Sequence, residues 1–276
     1  MQRKVLVTGA SGAVGHAVTR ALRARGHTVR GFDREPARAE GDHVVGNLLD
    51  PEALAQPMAG MDTLVHCAAV PDRQDFPKEL VPTNISGTHM ALEAARLARV
   101  ERVIYASSIR VVGGLDWGQG QIGLDAGFVP GDHYGVSKAT GELLARMYAE
   151  RFGISVLSAR LGWFVRNQDE AKLFESVQTA PRIYLSHCDA EDFFTRAVEL
   201  PLPRYAAVFV TSHNGGNSAF ESGAGARSAR LRAEGHLAQW LRLVRRFSLR
   251  LAALRPELAS RFGLAVNGLA ASSQRA

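Results

Sequence analysis

At 276 residues, 46% hydrophobic and 22% charged, the chain has the length and composition of one doubly wound domain with a smaller appendage. It lacks an apolar run of about 18 residues, which excludes a transmembrane helix, and Met1 to Val7 stops at Thr8-Gly9, short of the core of a secretion signal. The net charge of +6 is local: residues 1–217 hold 23 Lys+Arg against 24 Asp+Glu, and residues 218–276 hold 10 Arg against 3 Glu, so the body offers no nucleic-acid surface.

The elements follow in chain order. Val5 to Val7 reads as a short buried strand, and a helix follows with apolar positions Ala13, Val14, Ala17, Val18, Ala21 and Leu22, stopped by Gly26. Thr28 to Phe32 and His43 to Val45 read as the second and third strands. Pro51 to Met58 is a helix with Asp50 as N-cap. Asp62 to Cys67 is the fourth strand, Thr88 to Ala98 a helix and Arg102 to Ala106 the fifth strand. Tyr134 to Arg151 is a long helix ending before Gly153, and Ile154 to Ala159 the sixth strand. Asp189 to Leu200 reads as a helix and Ala207 to Val210 as a last strand. Strands alternating with helices of this length predict an α/β fold, a parallel doubly wound sheet covered on both faces. The expected divisions are a dinucleotide-binding unit at 1–165, a small substrate region with the last strand at 166–217, and an atypical basic tail at 218–276. Cys67 and Cys188 are far apart and lack metal spacing, so a reduced, cytoplasmic interior without a metal is expected.

Thr8-Gly9-Ala10-Ser11-Gly12-Ala13-Val14-Gly15 carries G-x-x-G-x-x-G between the first strand and its helix. Gly9 suits a tight turn, Gly12 a close approach of the backbone to a pyrophosphate, and Gly15 close packing of helix on strand. The N–H groups from Ser11 through Ala13 and Val14 then meet the phosphates. Asp33 ends the second strand, where a carboxylate accepts from both ribose hydroxyls. This predicts NAD rather than NADP, with Arg34 the residue that would take a 2′-phosphate. Asn47 and Leu48, after the third strand, lie where an adenine would sit; the alternative is a loop that only caps the next helix.

Tyr134 and Lys138 stand at i and i+4, on one helix face. An ammonium beside a phenol favours the phenolate, which makes Tyr134 a candidate general base toward a substrate hydroxyl. Ser108, after the fifth strand, would hydrogen-bond the same oxygen.

These residues, with His66-Cys67-Ala68-Ala69, Asn84-Ile85-Ser86-Gly87-Thr88, Ala106-Ser107-Ser108, Gly113 and Arg160-Leu161-Gly162, resemble the extended short-chain dehydrogenase/reductase family, also called the NAD-dependent epimerase/dehydratase family, over about residues 3–215. The resemblance implies a Rossmann fold, Ser108, Tyr134 and Lys138 as catalytic residues, and Lys138 on the nicotinamide ribose. It also implies Ala68 and Ala69 in the dinucleotide groove, Asn84 near the active site or capping its helix, and a homodimer through helices that include that of Tyr134. Ser108 is chosen over Ser107 because it stands five residues before Gly113.

Within the family, the Tyr134 helix and Ser186-His187-Cys188-Asp189 resemble uronate dehydrogenases, which oxidise a sugar acid at its anomeric carbon. Those enzymes carry an arginine for the substrate carboxylate seven residues before the Ser-His segment. Here Thr179 stands there, which leaves Arg182 and His187 as substrate candidates. The alternatives are a nucleotide-sugar epimerase with tightly held NAD, for which the C-terminal region is short, and a non-catalytic NAD-binding sensor, against which the intact Ser108, Tyr134 and Lys138 argue. In the tail, Leu237, Trp240, Leu241, Val244, Ser248, Leu251 and Leu254 form one helical stripe ringed by arginines. Such a helix packs on its own domain or a sister subunit, or docks on a partner or an anionic membrane; a shifted reading frame would also produce this composition.

Overall fold

The structure, a computed structural model, describes residues 2–71, 74–212 and 217–221. The tail's predicted amphipathic stripe lies outside the described residues. The chain runs β1 (Lys4–Thr8), α1 (Ala13–Ala24), β2 (Thr28–Asp33), β3 (His43–Val45), α2 (Pro51–Met58) and β4 (Thr63–His66). A widely wound helical segment, Phe76–Ser86, leads into α3 (Gly87–Leu97), then β5 (Arg102–Ser108), α4 (His133–Phe152) and β6 (Ser155–Leu161). Two short helices, α5 (Gln168–Ser176) and α6 (Ala180–Ile183), precede α7 (His187–Glu199) and β7 (Tyr205–Val210).

The strands form one parallel sheet in the order β3-β2-β1-β4-β5-β6-β7. Chain order reverses between β1 and β4, which opens a crevice at the carboxyl ends of those strands. Both faces are covered. Val5, Val7, Ile104 and Leu157 pack with α1 and α7 in one core, and Leu6, Leu64, Val103 and Val156 pack with α2, α3 and α4 in the other. Each inner strand therefore buries side chains on both faces, which is why Val5-Leu6-Val7 reads as a continuous apolar run rather than an alternation.

Expected and observed elements coincide to within one or two residues, except where chemistry masks the period. The Phe76–Ser86 segment was not anticipated: Pro77 and Pro82 remove backbone donors, and a helix that must accommodate them winds wide. α5 and α6 were also unread, since α5 has no buried residue and carries no apolar stripe. β7 extends the same sheet as β6, pairing Val156 with Tyr205 through Leu161 with Val210. Ser218 to Glu221, grouped with the tail on composition, belong to the folded body. Phe220 is buried, bridges to Ile122 and stacks on Phe209 at 4.5 Å.

Candidate active site

The glycine turn connects β1 to α1 at the crevice. Gly9 has φ +71°, and a Cβ there would lie 2.6 Å from Ala68 N, so the turn closes only with glycine. A Cβ on Gly15 would sit 2.0 Å from Gly9 O, whereas one on Gly12 would meet only Gly9 O, at 3.2 Å. Glycine at position 12 therefore clears the cavity that this residue lines rather than a packed neighbour. The start of α1 has no side-chain cap and no acid in its first turn. By contrast, α2 begins with Asp50 accepting from Glu52 and Ala53 N–H. A helix start with open N–H groups and no acid in its own first turn fits a phosphate. Gly9, Gly12, Ala13, Val14 and Gly15 all line one cavity of about 910 Å³.

Asp33 stands at the end of β2 beside this turn. Its carboxylate accepts from Ser11 N–H at 2.9 Å and Glu35 N–H at 3.1 Å, which leaves each oxygen a further lone pair for a hydroxyl. Ser11 Oγ donates to Pro36 O at 2.7 Å. Arg34 is exposed and lies 3.8 Å from Glu35. Asn47 accepts from Leu49 N–H at 3.0 Å, an Asx turn, while Leu48 is buried against Gly87. Ala69 lines the cavity, whereas Ala68 backs the glycine turn. Asn84 is fully buried: Oδ1 accepts from Val70 N–H at 2.8 Å, and Nδ2 donates to Val70 O and Ser137 Oγ, each at 3.0 Å. It thus ties the loop following β4 to the helix of Tyr134.

Ser108, Tyr134 and Lys138 line the same cavity. Three features place them. Asp132 caps α4, accepting from Gly135 N–H at 2.7 Å. Gly141 lets α4 approach β5, since a Cβ there would lie 2.0 Å from Tyr105 Oη. Lys138 Nζ donates to Ala106 O at 2.8 Å and lies 5.8 Å from the Tyr134 ring centre. Burial brings Lys138 down to about 8, opposed by Cys67 and Glu142. It remains charged at neutral pH and supplies the cation beside the phenol. Burial also pushes Cys67 up to about 12, so it stays a thiol, and holds His66 neutral at about 3.

Behind Ser108 lies a buried polar set the sequence reading passed over. Ser107 Oγ donates to Glu142 Oε1 at 2.5 Å, and Glu142 accepts from Arg160 Nε at 3.0 Å and Nη2 at 3.1 Å. Arg160 lies over the rings of Phe128 and Phe209, 5.2 Å from each.

Trp117 and Trp163 line the same cavity. The sequence candidates for the substrate are placed differently. Arg182 donates to Gly118 O at 2.9 Å and to Gly120 O, and His187 Nε2 bonds Val165 O at 2.8 Å. Neither lines the cavity; Thr179, Arg110 and Arg166 do. Arg110 pairs with Asp132, and Arg166 with Glu170. Arg110 stands two residues after Ser108, and Arg166 and Glu170 sit at i and i+4, so both were signals available in the sequence. Among the described residues, no cluster of His, Cys, Asp or Glu is arranged to hold a metal, and no helix is long and apolar enough to cross a membrane.

An uncapped glycine turn at a sheet's switch point, sharing one cavity with a Ser, Tyr and Lys set, defines a nucleotide-binding oxidoreductase of the Rossmann class. Residues 5–165 match the NAD dependent epimerase/dehydratase family, and the chain belongs to it. It is 32% identical over 216 residues to an L-arabinose 1-dehydrogenase (NAD(P)(+)) of Haloferax volcanii, covering 72% of this chain and 84% of that one. It is 32% identical over 215 residues to a uronate dehydrogenase of Pseudomonas syringae, covering 76% of this chain and 75% of the relative. A mutant uronate dehydrogenase from Agrobacterium tumefaciens, solved in complex with NAD, superposes with a TM-score of 0.70 at 26% identity, covering 80% of this chain and 81% of that one.

Proposed function

We propose that this chain is an NAD-dependent sugar dehydrogenase that oxidises the anomeric hydroxyl of a monosaccharide, as its likeness to uronate and arabinose dehydrogenases supports. The observation that carries the reading is the meeting of Ser108, Tyr134 and Lys138 with the glycine turn in one cavity. NAD, when bound, supplies the hydride acceptor. The turn from Gly9 to Gly15 would hold its pyrophosphate and Asp33 its adenosine ribose.

Ser108 Oγ and the Tyr134 phenol converge on the hydroxyl to be oxidised. Tyr134 takes the proton from that hydroxyl as the hydride leaves the same carbon, so the C–OH becomes C=O and an aldose ring becomes a lactone. Lys138 stabilises the phenolate that accepts the proton. The ammonium is held by Ala106 O, so its position is set before substrate arrives. Trp117 and Trp163 offer flat apolar walls to the sugar ring.

The test is NADH formation at 340 nm from NAD and a panel of free aldoses and uronates, with UDP-galactose followed by product analysis. Oxidation of a free sugar that falls about 10²–10⁴-fold in Tyr134→Phe, with NAD affinity unchanged, is the expected result. UDP-glucose appearing without NADH would make the protein an epimerase instead.

A further inference from the structure

We infer that the sugar end of this cavity selects a neutral aldose over a sugar acid or sugar phosphate, because, among the described residues, each arginine lining it is matched by a carboxylate of this chain. The inference rests on the sugar dehydrogenase reading above and names the substrate class within it.

An anionic sugar needs a guanidinium or ammonium whose charge is available to it. Lys138 is committed to the Tyr134 end, with Nζ on Ala106 O. Among the described residues, the other cations lining the cavity are Arg110 and Arg166. Arg110 pairs with Asp132, which also caps α4 through Gly135 N–H, so this carboxylate is fixed by the helix that carries Tyr134. Arg166 donates from Nε to Glu170 Oε1 at 2.6 Å and from its own N–H to Glu170 Oε2 at 2.8 Å. Burial pushes Glu170 up, but the hydrogen bonds and charge of Arg166 outweigh it and hold the carboxyl below its ordinary range.

Asp132 and Glu170 line the cavity too. A substrate carboxylate approaching either guanidinium therefore meets a resident carboxylate of like charge at close range. A sugar hydroxyl meets no such conflict, since it both donates and accepts. Thr179 adds another hydroxyl to the cavity lining. Arg182, the cation nearest in sequence to the carboxylate-binding arginine of the uronate dehydrogenase pattern, is held by the carbonyls of Gly118 and Gly120 instead.

The test uses sugars that differ only at C6: D-galactose against D-galacturonate, and D-glucose against D-glucuronate, each with NAD and the full chain. The neutral member of the preferred pair should exceed its acid at least tenfold in kcat/KM. Asp132→Asn, which keeps an N-capping side chain, and Glu170→Gln, away from that helix start, should each shift the ratio toward the acid about tenfold or more by releasing an arginine. An acid preferred by the native protein, or an unchanged ratio in both variants, overturns the inference while leaving the dehydrogenase reading intact. If none of the four sugars, nor L-arabinose or another aldose of the wider panel, reduces NAD, that reading fails. Quenching of Trp117 and Trp163 fluorescence by the sugars then decides the preference: tighter binding of the neutral sugar supports it, and tighter binding of the acid, or no quenching by any of them, overturns it.

Discussion

Replacing Glu142 by alanine should be among the most damaging single changes to this fold, although the residue touches neither the cavity nor solvent. Glu142 is 0% exposed and Arg160 4%. All the hydrogen bonds recorded for the Arg160 guanidinium go to Glu142, and Nη1 is buried with no partner among the described residues. The substitution strands a buried guanidinium and takes the acceptor from Ser107 Oγ. Breaking one side of such a pair costs about 3–5 kcal/mol, which at about 2–4 °C per kcal/mol for a domain of this size lowers Tm by roughly 6–20 °C. Glu142→Leu with Arg160→Met removes both charges and should recover most of that loss, because apolar residues of similar volume replace a pair whose desolvation offset much of its attraction. Urea denaturation with a constant m-value measures all three proteins. A loss below about 1 kcal/mol in the single variant, or a double variant no more stable than the single, would refute the reasoning.

Three further outcomes follow from the same geometry. Lys138 is a base with its folded value lowered to about 8 by burial, so its cation is lost as pH rises through that value. The rate should then decline above about pH 8, and a kcat profile flat to pH 10 would rule out a role for its charge. His66 is lowered from 6.5 to about 3, mainly by burial and then by Lys138, so between those values the unfolded chain binds a proton that the folded chain does not. Stability should fall with acidification through that window by about 1.4 kcal/mol per pH unit from this group. His66→Gln, which retains a hydrogen-bonding side chain between Thr8 and Thr88, should flatten that slope; parallel acid melts of the two proteins would count against it. Asp33→Asn should raise the affinity ratio of NADP to NAD about tenfold, roughly the worth of one charged hydrogen bond; calorimetric titration showing an unchanged ratio would remove Asp33 from the ribose site.

The sheet was legible because its signals are local. Val5-Leu6-Val7 is apolar on both faces since the strand is covered on both, Asp50-Pro51 marks a helix start by capping chemistry, and Gly153 marks a stop by its φ of +77°. Where the signal is not local, it failed. Pro77 and Pro82 disguise a helical segment, and α5 has no fully buried residue, its Phe174 only meeting Trp163 and Tyr184 at the surface. Phe220 reads as part of a basic tail, yet its ring fills a gap between Phe209 and Trp117. No window of sequence around position 220 contains those partners.

The site divides along the same line. Its cofactor half consists of turns and helix starts, each a run of adjacent residues, so Gly9, Gly12 and Gly15 and the Tyr134–Lys138 spacing are visible as patterns. The half that would take a sugar is assembled from segments up to 69 residues apart, as Arg110, Asp132, Arg166, Glu170 and Thr179 come together around one cavity. Which arginine faces the sugar therefore depended on loop closure rather than on spacing. Arg182 lay only four residues from Ser186, but the carbonyls of Gly118 and Gly120, over 60 residues earlier in the chain, took its guanidinium. The charge balance of the pocket is a property of these long-range pairs.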